Sequence, residues 1–231
     1  MTIRVGMNGF GRIGRTFVRR ALERDDIEVV AVNDITDART LAHLLEFDST
    51  YGRLAAAVTH SDDSIIIDGT PIRVLSSRDP AEIDWGWLGV AVVVESTGKF
   101  RARDQAALHL KGGAQKVLLS APGKGADLTA VVGVNDGEYD PQRHDVISNA
   151  SCTTNCVAPM AKVLSDAFGH RGAGWMPYST GPSGVADPRT RGSSIMPGEG
   201  LDRWIGRVPR LGWLGCDSTS GRQTAKDASS R

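Results

Sequence analysis

The chain has 231 residues, enough to bury one large or two modest hydrophobic cores, and its 40% hydrophobic and 23% charged residues are typical of a globular protein. This composition excludes a fibre, a disulfide-stapled mini-protein and a polytopic membrane protein. The 27 lysines and arginines balance the 27 aspartates and glutamates without a long run of either sign, so we expect no nucleic acid and no membrane surface as a partner.

The first predicted elements are a strand at residues 3–7 and an amphipathic helix that extends to about Glu23. Gly9, Gly11 and Gly14 lie between them as a G-x-G-x-x-G motif, and this position between strand and helix favours a dinucleotide-binding loop. In such a loop the first glycine permits a tight turn, the second lets a pyrophosphate approach the backbone, and the third allows close packing of helix on strand. The alternative is that the three glycines form a plain turn.

The second predicted strand, residues 28–33, ends beside Asp34, which lies twenty residues after Gly14. An acidic side chain at this spacing can accept hydrogen bonds from ribose hydroxyls, and its charge would repel a 2′-phosphate. We therefore expect NAD rather than NADP as the cofactor. The alternative is that Asp34 caps the next helix.

A helical pattern over 36–47 is followed by short antiparallel strands, and Asp68 and Gly69 form a hairpin signal between the last two. These strands are predicted at residues 58–59, 64–68 and 71–75. In the loop 76–80 that follows, Arg78 could face an adenine or merely solvent.

A β-branched run at 90–95, a helix at 101–110 and a strand at 116–119 continue the alternation of strands and helices. This alternation is typical of a doubly wound α/β fold, in which ligands bind beyond the carboxyl ends of the strands. Small loop residues at those ends are candidates to line the nicotinamide half of the cleft. They are Thr97, Gly98, Ser120 and Ala121.

Two further strands are predicted at 130–134 and 145–148, and the second leads to Cys152 at the start of a helix that extends to Phe168. The free N–H groups and the dipole at a helix N-terminus favour a thiolate, so we predict that Cys152 is a nucleophile. Cys156, one turn later, is interpreted as a small buried hydrophobe. The apolar face expected to be buried comprises Val157, Met160, Ala161, Val163, Leu164 and Ala167.

The three cysteines, two of them four positions apart, do not make a disulfide framework and are typical of a reducing compartment. No further Cys/His pair nearby completes a tetrahedral site, so we expect no metal. The apolar run at the N-terminus is too short for a signal peptide, and no stretch approaches membrane-spanning length. We therefore expect a cytoplasmic protein.

Together these motifs resemble the phosphorylating glyceraldehyde-3-phosphate dehydrogenase family over residues 1–169. The matching stretches are Asn8–Arg15, Asn33–Asp34, Glu95–Gly98, Ser120–Pro122 and Ser148–Cys156. The resemblance implies an NAD-binding Rossmann domain at 1–150, the start of an α+β catalytic domain at 151–169, and a homotetramer. It also implies that Cys152 attacks the aldehyde of D-glyceraldehyde 3-phosphate, that the adduct gives hydride to NAD, and that inorganic phosphate releases the thioester as 1,3-bisphosphoglycerate in glycolysis.

The resemblance also assigns individual residues. By motif, the cofactor contacts are Gly9, Gly11, Arg12, Ile13, Asp34, Arg78, Thr97 and Ser120. Ser151 and Thr153 match residues that hold phosphate groups, and the backbone N–H of Cys152 matches an oxyanion-hole donor. A relative that oxidises erythrose 4-phosphate shares these motifs, so that substrate stays open.

The chain departs from the family pattern beyond this helix. The family's general base is a histidine in a Thr-Val-His-Ala-Tyr-Thr segment, whereas the corresponding residues 174–181 contain none, and His170 is predicted at the far end of the Cys152 helix. Residues 170–231 show no sustained period and are rich in Gly, Ser, Pro and Arg, which predicts a poorly ordered tail. We expect a truncated or frameshifted product with impaired activity; the alternative is an inactive NAD-binding fragment or partner subunit.

Overall fold

The computed structural model describes residues 2–168, so the tail predicted at 170–231 lies outside the described residues. The strands are β1 (Ile3–Asn8), β2 (Ile27–Asn33), β3 (Phe47–Asp48), β4 (Gly52–Arg53), β5 (Val58–His60), β6 (Ser64–Ile67), β7 (Thr70–Leu75), β8 (Val92–Glu95), β9 (Lys116–Leu119), β10 (Leu128–Thr129) and β11 (Val146–Ser148). The α-helices are α1 (Arg12–Ala21), α2 (Ala38–Glu46), α3 (Arg103–Ala106), α4 (Leu108–Lys111) and α5 (Cys152–Phe168). In this part of the chain no helix has the length and apolarity needed to cross a bilayer.

Nine strands form one sheet in the order β10-β11-β9-β8-β1-β2-β7-β6-β5. The strands from β10 to β7 are parallel, whereas β6 and β5 add an antiparallel edge. From β1 the chain builds outward through β2 and β7, and it then returns to place β8 on the other side of β1. The doubly wound α/β fold predicted from the sequence is confirmed, and its topological switch point lies between β1 and β8.

Burial of apolar side chains on both faces explains why the central strands read as continuous hydrophobic runs. Val5 and Met7 of β1 are buried, and the same core cluster holds Val18 of α1 together with Leu41 and Leu45 of α2. Each such side chain stabilises the fold by about 1.5–3 kcal/mol on full burial. This cluster fixes α1 against β1 and therefore fixes the loop that joins them.

The hairpin predicted at Asp68 and Gly69 is confirmed. Both residues have positive φ, 47° and 84°, and Ile67 of β6 pairs with Thr70 of β7, so the connection has two residues. Positive φ at both central positions defines the type I′ turn that an Asp-Gly pair favours.

The strand predicted at 130–134 is wrong, because pairing with β11 ends at β10 and the next residues form a turn. Asn135 closes this turn: its Oδ1 accepts from the Val131 N–H at 2.8 Å, and its Nδ2 donates to the Thr129 carbonyl at 3.0 Å. Gly133 adopts a φ of 80°, outside the strand region. The apolar run therefore predicted a strand where an asparagine side chain pairs with the backbone instead.

The helix predicted at 101–110 is interrupted, and the strand predicted from residue 90 begins at Val92. Between α3 and α4 the Leu110 N–H donates to the Ala107 carbonyl three residues back, at 3.1 Å. Such an i to i−3 bond tightens the turn and breaks the α-helical ladder.

The face of α5 that was predicted to be buried is largely exposed in the described part of the chain. Val157, Met160, Val163 and Leu164 are 41%, 54%, 66% and 59% exposed, and Ala167 is exposed as well. Ala158 is the buried residue of the helix, and it packs with Val131 and Ala150. The prediction that Cys156 is buried is also wrong, since its side chain is exposed.

Candidate active site

The loops that carry the predicted cofactor residues follow parallel strands and therefore meet at one edge of the sheet. The glycine loop follows β1 and the Thr97 loop follows β8, on either side of the switch point. The loop of Arg78 follows β7, and that of Ser120 follows β9. The structure thus brings the predicted cofactor residues to the edge where doubly wound folds bind dinucleotides.

The three glycines of the loop differ in what surrounds them. Gly9 has a φ of 93°, and a Cβ there would lie 2.7 Å from the Thr97 backbone nitrogen. A Cβ on Gly14 would collide with the Gly9 carbonyl oxygen, so that glycine allows α1 to approach the loop. Among the described residues, no atom lies within 4 Å of a Cβ added at Gly11. The first and third glycines are therefore needed by the fold, whereas the second leaves open space beside the backbone.

The N-terminus of α1 opens onto that space. In the described part of the chain no side chain caps the helix at Gly11, and the first turn of α1 contains no acidic residue. The first N–H groups of a helix have no intrahelical acceptor, and together with the helix dipole they attract an anion. Arg12 and Ile13 are exposed on this first turn. The open cradle and the unpaired donors fit the pyrophosphate of a dinucleotide.

Asp34 connects the glycine loop to the end of β2. Its carboxylate accepts from the Phe10 N–H at 2.8 Å and from the Thr36 N–H at 3.0 Å. The alternative that Asp34 caps α2 is wrong, because Asp37 holds the N-cap position and accepts from the Thr40 N–H at 2.9 Å. Asp34 is half-buried at the cleft edge, where a ribose-binding carboxylate belongs.

The remaining predicted cofactor residues differ in how exposed they are and in the hydrogen bonds that hold their loops. Arg78 is exposed, while its neighbour Ser77 is held by the Asn33 side chain. Thr97 is half-buried and donates from its backbone N–H to Glu95 at 2.8 Å. Gly98 is exposed with a φ of 72°, and Ser120 is attached to the end of β8 through a bond from its N–H to the Glu95 carbonyl at 3.0 Å.

A buried polar network under this edge was missed from the sequence. Asn8, Asn33, Glu95 and His109 are at most 5% exposed, and they are joined by side-chain hydrogen bonds together with Trp85. The sequence feature that could have indicated the network is that the two asparagines and the glutamate are each the last residue of an apolar strand. Unpaired polar groups cannot be buried cheaply at such positions, so partners were to be expected.

The predicted nucleophile follows β11 at the same sheet edge. Ser148 Oγ donates to the Ala121 carbonyl at 2.9 Å and accepts from the Gly123 N–H at 2.9 Å, which fixes the end of β11 to the loop after β9. Ala150 then adopts a φ of 57°, a conformation costly for a residue with a Cβ. This bend leads the chain into α5, whose first residue is the exposed Cys152.

The residues beside Cys152 have roles in starting α5. Ser151 Oγ accepts from the Thr154 N–H at 2.9 Å, which is an N-cap contact, while Thr153 is exposed. Asn155 Nδ2 donates to the carbonyls of Asn149 and Ser151 at 2.7 and 2.9 Å. The Ser151 hydroxyl that was predicted to hold phosphate is therefore engaged by the helix, and only its remaining hydrogen-bonding capacity is open to an anion.

An ion pair supports β11, the strand that leads to Cys152. Asp127 accepts from Arg103 Nε at 2.6 Å and from the N–H groups of Asp145 and Val146 at 2.9 and 2.8 Å, where β11 begins. Burial alone would raise the pKa of the Asp127 carboxyl, but these hydrogen bonds outweigh burial and hold that pKa below its ordinary value. Among residues 2–168, no cluster of His, Cys, Asp and Glu could hold a metal ion.

Comparison with known proteins agrees with this geometry. Residues 3–103 match the family model of the glyceraldehyde 3-phosphate dehydrogenase NAD binding domain. The chain is 61% identical over 170 residues to glyceraldehyde-3-phosphate dehydrogenase of Streptomyces coelicolor, which covers 73% of this chain and 51% of that protein. It is 58% identical over 169 residues to the protein of the same name from Geobacillus stearothermophilus, with 73% and 50% covered. The chain thus spans about half the length of the curated relatives it matches.

Proposed function

We propose that the chain carries the cofactor half and the nucleophile of a glyceraldehyde-3-phosphate dehydrogenase, because residues 3–103 match that family's NAD-binding domain and 170 residues are 61% identical to the Streptomyces coelicolor protein. The reaction is the oxidation of D-glyceraldehyde 3-phosphate to 1,3-bisphosphoglycerate. The observation that supports it most is the convergence of an open glycine cradle and an exposed Cys152 at the same edge of the parallel part of one sheet. We divide the chain into the cofactor domain at 1–150 and the start of the catalytic domain at 151–169.

The cofactor residues divide by what they can bind. The glycine loop and the first turn of α1, namely Gly9, Gly11, Arg12, Ile13 and Gly14, hold the pyrophosphate through backbone N–H groups. Asp34 accepts from the ribose hydroxyls, and Arg78 lies toward the adenine end. Thr97, Gly98 and Ser120 line the nicotinamide half. NAD bound there supplies the hydride acceptor.

Cys152 supplies the covalent chemistry. Its Sγ thiolate forms a bond to the aldehyde carbon while the C=O π bond breaks and the oxygen takes up a proton, giving a hemithioacetal. Loss of the hydroxyl proton to a base and of hydride from that carbon leaves a thioester on Sγ. A phosphate oxygen then bonds to the acyl carbon while the carbon–sulfur bond breaks, which restores the thiolate. Thr153 and the remaining capacity of Ser151 hold the phosphate groups during these steps.

The step in which a base accepts the hemithioacetal proton should be slow in this chain. Residues 174–181, where the family has its base, contain no histidine and lie outside the described residues. Loss of a general base lowers a rate by about 10² to 10⁴. We therefore propose slow turnover, and this same observation favours a second candidate function, an NAD-binding chain without activity of its own. A homotetramer, a cytoplasmic location and erythrose 4-phosphate as a substrate stay predictions.

An activity assay on the purified full chain distinguishes the two functions. NADH formation is followed with NAD, D-glyceraldehyde 3-phosphate and phosphate, and the assay is repeated with erythrose 4-phosphate. We expect slow, phosphate-dependent NADH formation that Cys152→Ser abolishes and the matched control Cys156→Ser preserves. NAD binding without NADH formation would refute the dehydrogenase activity of this chain, and an absence of NAD binding would refute both functions.

A further inference from the structure

A single carboxylate lies at the centre of the buried network at the sheet edge. Glu95 is 3% exposed, and no lysine or arginine pairs with it among the described residues. Its Oε2 accepts from Asn8 Nδ2 at 2.5 Å and lies 3.1 Å from His109 Nε2. Its Oε1 accepts from both the backbone N–H and the hydroxyl of Thr97. Four hydrogen-bond donors therefore replace water around this buried side chain.

The direction of each hydrogen bond follows from the donor at one end. The Trp85 indole N–H can only donate, and it lies 3.0 Å from His109 Nδ1. His109 Nδ1 is therefore an acceptor, and its proton is on Nε2, which donates to Glu95. Glu95 accepts from both sides and donates to neither.

The same direction continues away from Glu95 to the adenosine side. With Asn8 Nδ2 turned toward the carboxylate, Asn8 Oδ1 accepts from Asn33 Nδ2 at 2.7 Å. Asn33 Oδ1 then accepts from the Ser77 N–H at 2.9 Å, and Asn33 Nδ2 also donates to the Ser77 carbonyl at 2.9 Å. The orientation of both amides, and with it the loop that precedes Arg78, depends on the acceptor at Glu95.

We propose that Glu95 is a positioning residue for the dinucleotide cleft, which it organises by holding the Thr97 loop directly and the Ser77 loop through Asn8 and Asn33. This inference rests on the proposed function only in that the cleft binds NAD. One buried carboxylate thus fixes the loops after β8 and β7 relative to the glycine loop that follows Asn8.

The substitution Glu95→Gln tests this role with almost no change in size. A glutamine must place its NH₂ against donors, either Asn8 and His109 or the two donors of Thr97, so the network has no fully paired arrangement. We expect the dissociation constant for NAD, measured by calorimetry, to rise at least about tenfold. The matched control is Ile65→Val, a buried change in β6 away from the network, and it should leave NAD affinity unchanged at comparable loss of thermal stability.

A second variant and a second readout keep the test decisive. Asn33→Ala removes the bonds that join Asn8 to the Ser77 loop and leaves the partners of Glu95 in place. It should weaken NAD binding several-fold, even if Glu95→Gln does not fold. In the cofactor-free protein, amide hydrogen exchange at Thr97 and Ser77 should be faster in Glu95→Gln than in the control. Wild-type chain that does not bind NAD refutes the proposed function, whereas faster exchange would still support the positioning of the loops. NAD affinity and exchange in the two network variants equal to those of Ile65→Val would overturn the inference.

Discussion

Replacing Gly9 and Gly11 separately by alanine should distinguish the glycine that the fold requires from the glycine that cofactor binding requires. At Gly9 the new Cβ would lie 2.7 Å from the Thr97 nitrogen and 2.8 Å from the Ser96 carbonyl carbon, and φ is 93°. The left-handed backbone costs an alanine about 1–2 kcal/mol, and overpacking against fixed backbone costs about 1–3 kcal/mol more. Gly9→Ala should therefore lower the free energy of unfolding by about 2–5 kcal/mol.

At Gly11 the same substitution meets no atom of residues 2–168 within 4 Å, and φ is −70°, which alanine adopts freely. Gly11→Ala should keep or raise stability, by about 0.4–1 kcal/mol, because it restricts the unfolded chain. Its methyl group would occupy the path of the pyrophosphate, so NAD should bind at least about tenfold more weakly, a loss of about 1.4 kcal/mol. Thermal unfolding and calorimetric titration of both variants measure these effects. Gly11→Ala that binds NAD like the wild type, or that destabilises the chain as much as Gly9→Ala, would refute the reasoning.

Three further predictions concern the strand and helix that carry the nucleophile. The pKa of Asp127 is lowered in the folded chain, so the stability contributed by its carboxylate is present above about pH 4 and is lost as pH falls through the folded pKa. Asp127→Asn should lower the free energy of unfolding, measured in urea, by about 1–2 kcal/mol at neutral pH and by little in strong acid. An equal loss at both pH values would contradict this. Cys152 and Cys156 are both exposed, so a difference in their alkylation rates reflects the position of Cys152 at the helix N-terminus. Iodoacetate should alkylate Cys152 faster than Cys156 at neutral pH, as measured by peptide mass spectrometry. Equal rates would contradict activation of Cys152 by the helix N-terminus. Ala150→Gly relieves a φ of 57° and should change the unfolding free energy by less than about 1 kcal/mol. The control Ala21→Gly in α1 should lower the unfolding free energy by more. A larger loss for Ala150→Gly than for Ala21→Gly would show that no strain is stored at Ala150.

The parts of the fold that the sequence predicted are those fixed by local chemistry. The glycine spacing depends on close approaches within a few residues, and the Asp68–Gly69 turn depends on two backbone conformations. The buried runs of β1 and β8 reflect the double coverage of a parallel sheet. The segment 130–134, wrongly predicted as a strand, has the same apolar character, and the side chain of Asn135 and the positive φ of Gly133 distinguish it.

The polar network could not be predicted because its bonds join residues far apart in the chain. Asn8 meets Glu95 across 87 positions, and Trp85 meets His109 across 24. Nothing in the sequence pattern distinguishes His109 from the other histidines. Only the strand order, which places β1 beside both β2 and β8, brings these side chains together.

The exposed face of α5 is a second feature that the sequence pattern alone did not predict. Apolar residues at helical spacing indicate which face prefers burial, but they do not provide a surface to pack against. In residues 2–168 that surface is limited to Val131, Val134 and Ala150 against Ala158. The described residues therefore support the start of α5 and leave most of its apolar face exposed.

Calorimetric titration of the purified full chain with NAD and with NADP tests the central claim most directly. The open cradle at Gly11 and the carboxylate of Asp34 predict saturable binding of NAD and at least about tenfold weaker binding of NADP, because the charge of Asp34 repels the 2′-phosphate. A folded chain that binds neither dinucleotide, or that binds both equally, would contradict the account.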